Sequence, residues 1–225
     1  MERYRRNESM LSPEENKSLG NFRVAVIGCG GLGGHILEML ARLGIGHITA
    51  IDGDVFETTN LNRQLLSHPG NLGQSKALEA KKHLARINPD IRVVAFNQWL
   101  TRDNAAQMLN GHDVVCDALD NISSRKTLQD AAEKLSIPMV SAAIAGWYAH
   151  VTTVLPGDRT LNKLFPGEAD KGAETHLGNP SFTPALAASI QVAETLKVLL
   201  KKEGILRNKV LTINMLNQQY QLIDL

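Results

Sequence analysis

The chain has 225 residues, 24 basic and 23 acidic side chains for a formal charge of +1, and 43% hydrophobic residues. That length and composition suit one large domain with a sizeable core, and the near-neutral charge argues against nucleic acid or an anionic membrane as the main partner. Two isolated cysteines, Cys29 and Cys116, exclude a disulfide framework, a Cys-x-x-Cys redox pair and a four-cysteine zinc site, and fit a reducing, cytoplasmic compartment. The charged start is no secretory signal, and no apolar run approaches the roughly 20 residues needed to span a bilayer.

In chain order, residues 1–20 are a polar N-terminal arm with a helix start at Ser12-Pro13-Glu14. Residues 22–27 are a short apolar run, rich in β-branched side chains, that ends at glycines and predicts a buried strand. Leu32, Ile36, Leu40 and Leu43 follow at helical spacing up to Gly44, and residues 47–51 make a second strand. The pattern continues with a helix over 74–87 that ends at Asn88-Pro89, a strand over 91–96, a short helix over 103–109 and a strand over 113–117. Leu128, Ala131, Ala132 and Leu135 mark another helix, and residues 139–144 and 150–155 two more strands. This alternation predicts an α/β fold: a Rossmann-like, mainly parallel sheet with helices on both faces, in one domain over 1–225. Residues 156–182 hold Gly157, Pro166, Gly167, Gly172, Gly178 and Pro180 without clear periodicity, a crossover loop long enough to be functional or mobile. Thr183-Pro184 then reads as an N-cap followed by proline at the first helical position, opening a helix to about Lys202. Residues 208–223 read as a C-terminal antiparallel hairpin at the sheet edge.

The first strand runs into Gly28-Cys29-Gly30-Gly31-Leu32-Gly33, a Gly-x-Gly-x-x-Gly spacing. Such glycines let the backbone approach a phosphate while the following helix supplies oriented N–H donors. The spacing is weak evidence by itself, but here it follows a strand and opens a helix, as the motif requires. Asp52 ends the second strand, 19 positions after Gly33, where an acid can bond a ribose hydroxyl. These features suit a nucleotide-dependent dehydrogenase as well as an ATP enzyme. The next thirteen residues, Asp52 to Gln64, pack in Asp54, Glu57, Asn60, Asn62 and Arg63, a density that a polyphosphate site needs and a dehydrogenase loop does not. Arg63 can grip phosphate oxygens through its planar fork, and Lys76 stands near a helix start as a point charge, although alone it reads as a solvated helix residue. Asp120 and Asn121 follow the strand over 113–117, and because a parallel sheet gathers the carboxyl ends of neighbouring strands on one crevice, Asp52 and Asp120 should face the same pocket. Asp120 could hold magnesium together with substrate phosphates; Asn121 could contribute or merely cap the next helix.

Taken together, Arg3-Tyr4-Arg5-Arg6-Asn7, residues 28–34, 52–64, 73–76 and 117–121 resemble the ThiF/MoeB/HesA family, bacterial relatives of ubiquitin-activating enzymes. The resemblance covers nearly the whole chain, and Asn60-Leu61-x-Arg63-Gln64 is its most specific element. It implies binding of ATP and Mg2+, and adenylylation of the C-terminal glycine of a ubiquitin-like sulfur-carrier protein with a Gly-Gly tail. By the same resemblance Gly28, Gly30, Gly31 and Gly33 line the phosphates and Asp52 holds the ribose. Asp54, Asn60, Arg63, Gln64, Lys76 and Asn121 complete the nucleotide site, and Asp120 positions magnesium. Arg6 falls on the family's arginine that reaches into a partner subunit's site, which implies a homodimer with Arg6, Arg63, Lys76 and Asp120 as the catalytic set. The carboxylate that attacks is already ionised, so the chemistry asks for preorganised cations rather than for a base.

The chain also departs from the family. Many members carry two Cys-x-x-Cys pairs for zinc; residues 156–182 and the C-terminal strands have no cysteine, and the seven histidines are scattered, so no zinc site is expected. Cys29 could have a lowered pKa at a helix start, although a small residue between glycines is the simpler reading; Cys116 should be buried and inert. Trp147-Tyr148 could touch a carrier's tail or close one end of the core. An ATP-dependent tRNA threonylcarbamoyl-adenosine dehydratase is the second reading, and a nucleotide-binding module without catalysis the third.

Overall fold

The structure is a computed structural model that describes residues 2–167, 170, 172 and 174–225. Parts of the 156–182 segment therefore lie outside the described residues.

Eight strands form one sheet in the order β3-β2-β1-β4-β5-β6-β7-β8. The strands β1 (Arg23–Ile27), β2 (His47–Ile51), β3 (Arg92–Phe96), β4 (Val114–Asp117) and β5 (Met139–Ala145) are parallel. Then β6 (Tyr148–Val154), β7 (Lys209–Asn214) and β8 (Gln219–Asp224) continue antiparallel, which bears out the mainly parallel sheet with a C-terminal hairpin. The strands alternate between two cores. Val24 and Val26 face one, under helices α2 (Gly31–Leu43), α3 (Lys76–Ile87) and α8 (Phe182–Leu199). Ala25 and Ile27 face the other, with α4 (Ala105–Leu109), α5 (Ile122–Lys134) and α6 (Thr160–Leu164). A strand buried on both faces needs a continuous apolar run, which is why β1 and β4 read so clearly.

Short-range chemistry sets the ends of the helices. Ser12 caps α1 (Pro13–Ser18) in a reciprocal capping box with Glu15. Ser75 caps α3 through the Leu78 N–H, and Gly44, at φ 90°, closes α2. The helix expected from 74 thus begins at Lys76. Helix α8 differs more from expectation. Ser181, not Thr183, holds the N-cap position without a side-chain cap bond. Thr183 and Pro184 lie inside the first turn, where proline's missing donor costs nothing. The Thr183 hydroxyl instead donates to the Gly146 carbonyl at 2.5 Å, tying α8 to the β5–β6 turn. The helix also stops at Leu199, short of Lys202. The 156–182 segment is less irregular than expected, because it holds α6 and α7 (Glu174–Leu177), each too short to show a period.

The chain runs outward from β1 to β3, then returns to β4 on the other side of β1. That reversal opens a crevice beyond the carboxyl ends of β1 and β4, the place where open α/β sheets bind ligands. Among the described residues, no helix is long and apolar enough to cross a membrane.

Candidate functional site

A cavity of about 320 Å³ occupies that crevice, within the range of small-molecule sites. The glycine loop makes its floor, and two of its glycines are explained by backbone meeting backbone. At Gly28, with φ 95°, a Cβ would sit 2.5 Å from the Ala118 carbonyl oxygen; at Gly33 a Cβ would sit 1.8 Å from the Gly28 carbonyl oxygen. Gly28 thus lets the loop touch the β4–α5 turn, and Gly33 lets α2 close onto the loop. Gly33 itself is packing rather than wall. Gly28, Gly30 and Gly31 do line the cavity, with Gly30 at the N-cap of α2.

The acid at the end of β2 is held by this loop. Asp52 Oδ2 accepts from the Cys29 N–H at 2.7 Å and Oδ1 from the Asp54 N–H at 2.8 Å. Each oxygen keeps a lone pair, and Asp52 lines the cavity. Burial raises its carboxyl above the ordinary range, against those two N–H donors and the nearby Lys76 charge.

Lys76 is not a solvated helix residue. It is 6% exposed, and its Nζ lies 2.6 Å from Asp54 Oδ2. Burial pushes the Asp54 carboxyl up, but the Lys76 ammonium and the Val55 N–H outweigh it and hold Asp54 below its ordinary value. The pair leaves one ammonium fixed in the wall beside the glycine loop. Arg63 also reaches the wall, with Nη1 donating to the Thr59 carbonyl at 2.8 Å and to Asn62 Oδ1 at 2.9 Å. Those bonds brace one arm of the guanidinium. Gln64 is buried beside Gly30, with an Oε1 that has no protein partner, an orphaned polar group against the loop.

Other expected residues are placed differently. Asn60 is absent from the wall; its Oδ1 accepts from the Glu57 N–H at 3.0 Å and shapes the turn that carries Arg63. Asn121 is likewise outside the wall, because its Oδ1 caps α5 through the Ser124 N–H at 2.8 Å. Asp120 stands in the wall, exposed, bonded to Asn121 Nδ2 at 3.4 Å. One open carboxylate facing a phosphate loop is the donor set a hard Mg2+ ion takes when phosphates fill its other positions. Among the described residues there is no cluster of three His, Cys, Asp or Glu side chains able to hold a metal by themselves. Arg6 does not line this cavity. Tyr4 packs on Gly44 and accepts from Asn88 Nδ2, so the arm is anchored at the far ends of α2 and α3, about 20 Å along α2 from the glycine loop.

Arg125 was not expected here and is central to the wall. Its Nη1 donates to Asp117 Oδ2 at 2.7 Å and to the Ala142 carbonyl at 2.6 Å, and its Nη2 donates to the Leu119 carbonyl. It therefore ties the end of β4 to the middle of β5, one residue from Asp120. Ile27, Ile51, Leu100, Leu119, Phe165 and Trp99 supply apolar lining to the cavity. From the crossover segment Asp170 accepts from the Ile122 and Ser123 N–H groups, and Gly172, Thr175 and Asn179 line the opening.

Both cysteines are buried. Burial, reinforced by the Asp52 charge, pushes the Cys29 thiol well above its ordinary value, so the helix start does not activate it. Burial pushes the Cys116 thiol up to about 12. A raised thiol stays protonated and unreactive below that pH. Iodoacetamide at about pH 8 should therefore label neither cysteine in the native protein and both after denaturation, as read by mass spectrometry. Native labelling of Cys29 would contradict this burial.

A family model described as the ThiF family matches residues 4–225. The protein HesA of Leptolyngbya boryana is 34% identical over 96% of this chain and 78% of its own length. The SAMP-activating enzyme E1 of Haloferax volcanii is 30% identical over 99% of this chain and 84% of its own. The sulfur carrier protein adenylyltransferase of Thermus thermophilus is 36% identical over 89% of this chain and 78% of its own. Among solved structures, E. coli MccB with ATP superposes with a TM-score of 0.84 at 23% identity, covering 99% of this chain and 70% of that one. The E. coli tRNA N6-threonylcarbamoyladenosine dehydratase TcdA has a TM-score of 0.76 at 24% identity over 89% and 94% of the two chains. With a family model matching from residue 4 to the last residue and relatives a third identical across nearly all of it, the chain belongs to the ThiF family.

Proposed function

We propose that the chain is an ATP-dependent nucleotidyltransferase that adenylates the C-terminal glycine carboxylate of a ubiquitin-like sulfur-carrier protein ending in Gly-Gly. The observation that carries this reading is the order of the lining residues across the sheet. Trp99 and Leu100 follow β3, Asp52 follows β2 and the glycine loop follows β1, on three adjacent strands. A nucleotide would lie across them with its phosphates on the loop, its ribose on Asp52 and its base toward Trp99 and Leu100. Relatives named sulfur carrier protein adenylyltransferase and SAMP-activating enzyme support the acceptor.

In the reaction a carboxylate oxygen of the carrier attacks the α-phosphorus of ATP. The bond from that phosphorus to the bridging oxygen breaks, and pyrophosphate leaves with the electron pair. The products are acyl-adenylate and pyrophosphate, and no proton has to move. Attack brings two anions together, so the fixed cations Lys76 and Arg63 lower the barrier by holding the phosphates and offsetting the growing charge. Mg2+, held by Asp120 and the phosphate oxygens, would supply further neutralisation of the leaving group. With both thiols unreactive, the chain's part ends at the acyl-adenylate.

Arg6, which does not line its own cavity, would serve the cavity of a second copy. Asp120→Ala should abolish carrier-dependent ATP–pyrophosphate exchange without lowering the unfolding temperature, and Arg6→Ala should do the same. A mixture of the two inactive variants should recover about a quarter of the wild-type rate, because half the dimers are mixed and each has one complete site. Full exchange by Asp120→Ala would sink the assignment; no recovery in the mixture would sink the shared site. Exchange stimulated by tRNA and not by any Gly-Gly protein would replace the carrier by a nucleic-acid substrate.

A further inference from the structure

The cavity wall has a large side chain that neither the glycine loop nor the charged stretch accounts for. Trp99 follows β3, lines the cavity and is 61% exposed. Its backbone is fixed, with the carbonyl accepting from Asn104 Nδ2 at 2.9 Å. Its indole lies against Gly53, where a Cβ would stand 2.7 Å from ring atoms Cγ and Cδ2. Gly53 does not have a positive φ, so its backbone does not require glycine. What the missing side chain provides is room for the ring. Gly53 also sits between Asp52 and Asp54, so the indole is seated directly beside the acid that faces the cavity.

A rigid aromatic ring with one side on backbone and much of its surface open, next to a ribose-binding acid, presents a π-face where a nucleotide's base must lie. We infer that Trp99 is the platform on which the base of the bound nucleotide stacks, and that Gly53 is the positioning residue that seats it. This rests on the nucleotide reading of the cavity and adds to it the residue that grips the base. Leu100, Leu119 and Phe165 supply the apolar surround. Stacking on an aromatic side chain is sequence-tolerant, because every base has a π-face, so this grip adds affinity more than choice of base.

Calorimetric titration with ATP, and separately with inorganic pyrophosphate, tests the assignment. Trp99→Ala should raise the Kd for ATP about tenfold and leave the Kd for pyrophosphate unchanged, while Trp99→Phe restores most of the ATP affinity. Gly53→Ala should weaken ATP binding similarly, because its methyl displaces the ring. In a Trp99→Ala background the same Gly53→Ala change should cost nothing more, a non-additivity that a purely structural role for Gly53 would not show. The chain has two tryptophans, and Trp147 pairs with Phe182 at 4.6 Å outside the cavity wall. In a Trp147→Phe background, ATP should therefore quench the remaining emission. ATP affinity unchanged within about twofold in Trp99→Ala, or additive losses in the double variant, would overturn the inference while the proposed function stood. Failure of the wild-type chain to bind ATP at all would overturn both.

Discussion

Gly33→Ala should cost about 3 kcal/mol or more of stability and remove ATP binding. The added methyl would stand 1.8 Å from the Gly28 carbonyl oxygen and 2.7 Å from its carbon, and both are backbone atoms. Gly28 has no space to retreat, because its own Cβ position is 2.5 Å from the Ala118 carbonyl. Relief must come from lifting α2 off the loop, which separates the helix N-terminus from the phosphate site. Gly20→Ala is the control: nothing lies within 4 Å of its Cβ position and its φ is not positive. Thermal unfolding and ATP titration read both effects. A Gly33→Ala protein with wild-type stability and wild-type ATP affinity would mean that α2 and the loop do not meet as described.

Arg125→Met is the second large effect, expected to cost about 3–5 kcal/mol. Arg125 is 5% exposed and Asp117 is fully buried. Without the guanidinium, Asp117 keeps the Ser141 hydroxyl at 2.6 Å and the Leu119 N–H at 3.0 Å, but no cation. A buried carboxylate stripped of its partner is the expensive state, more than the pair itself is favourable. Adding Asp117→Asn removes the stranded charge and should recover about 2 kcal/mol. Denaturant unfolding of the single and double variants measures this. Equal stability of the two would show that the charge is not what Arg125 satisfies. Because Arg125 also bonds the Leu119 carbonyl, Arg125→Met should weaken exchange activity through the placement of Asp120.

The parts legible in the sequence were those governed by neighbours along the chain. Strands β1, β2 and β4 are short apolar runs that stop at glycine or acid, and α2 shows its buried face in Leu32, Ile36 and Leu40. Asp52 and Asp120 can be placed in one crevice from sequence because a parallel sheet gathers its carboxyl ends. What was not legible depends on residues far apart in sequence. Lys76 is buried because Asp54 waits 22 positions earlier. Arg125 looks like an ordinary polar helix residue until β5 brings the Ala142 carbonyl to it. Thr183 looks like a cap, and the Gly146 carbonyl, 37 positions away, takes its hydroxyl instead. Trp99 gains meaning only through Gly53. Asn121 suits either capping or binding in sequence, and in the fold its Oδ1 accepts from the Ser124 N–H as a helix cap.

Transfer of an adenylyl group to a protein tail is the step that separates this enzyme from a nucleotide-binding module. Incubating the chain with ATP, Mg2+ and a small ubiquitin-like protein ending in Gly-Gly, then weighing the carrier by mass spectrometry, reads that transfer directly. The expected product is carrier bearing one AMP at its C-terminal glycine, absent with Asp120→Ala and absent when the terminal glycine is removed. Carrier of unchanged mass, with ATP bound yet neither AMP nor pyrophosphate formed, would contradict it and leave a nucleotide-binding module without catalysis.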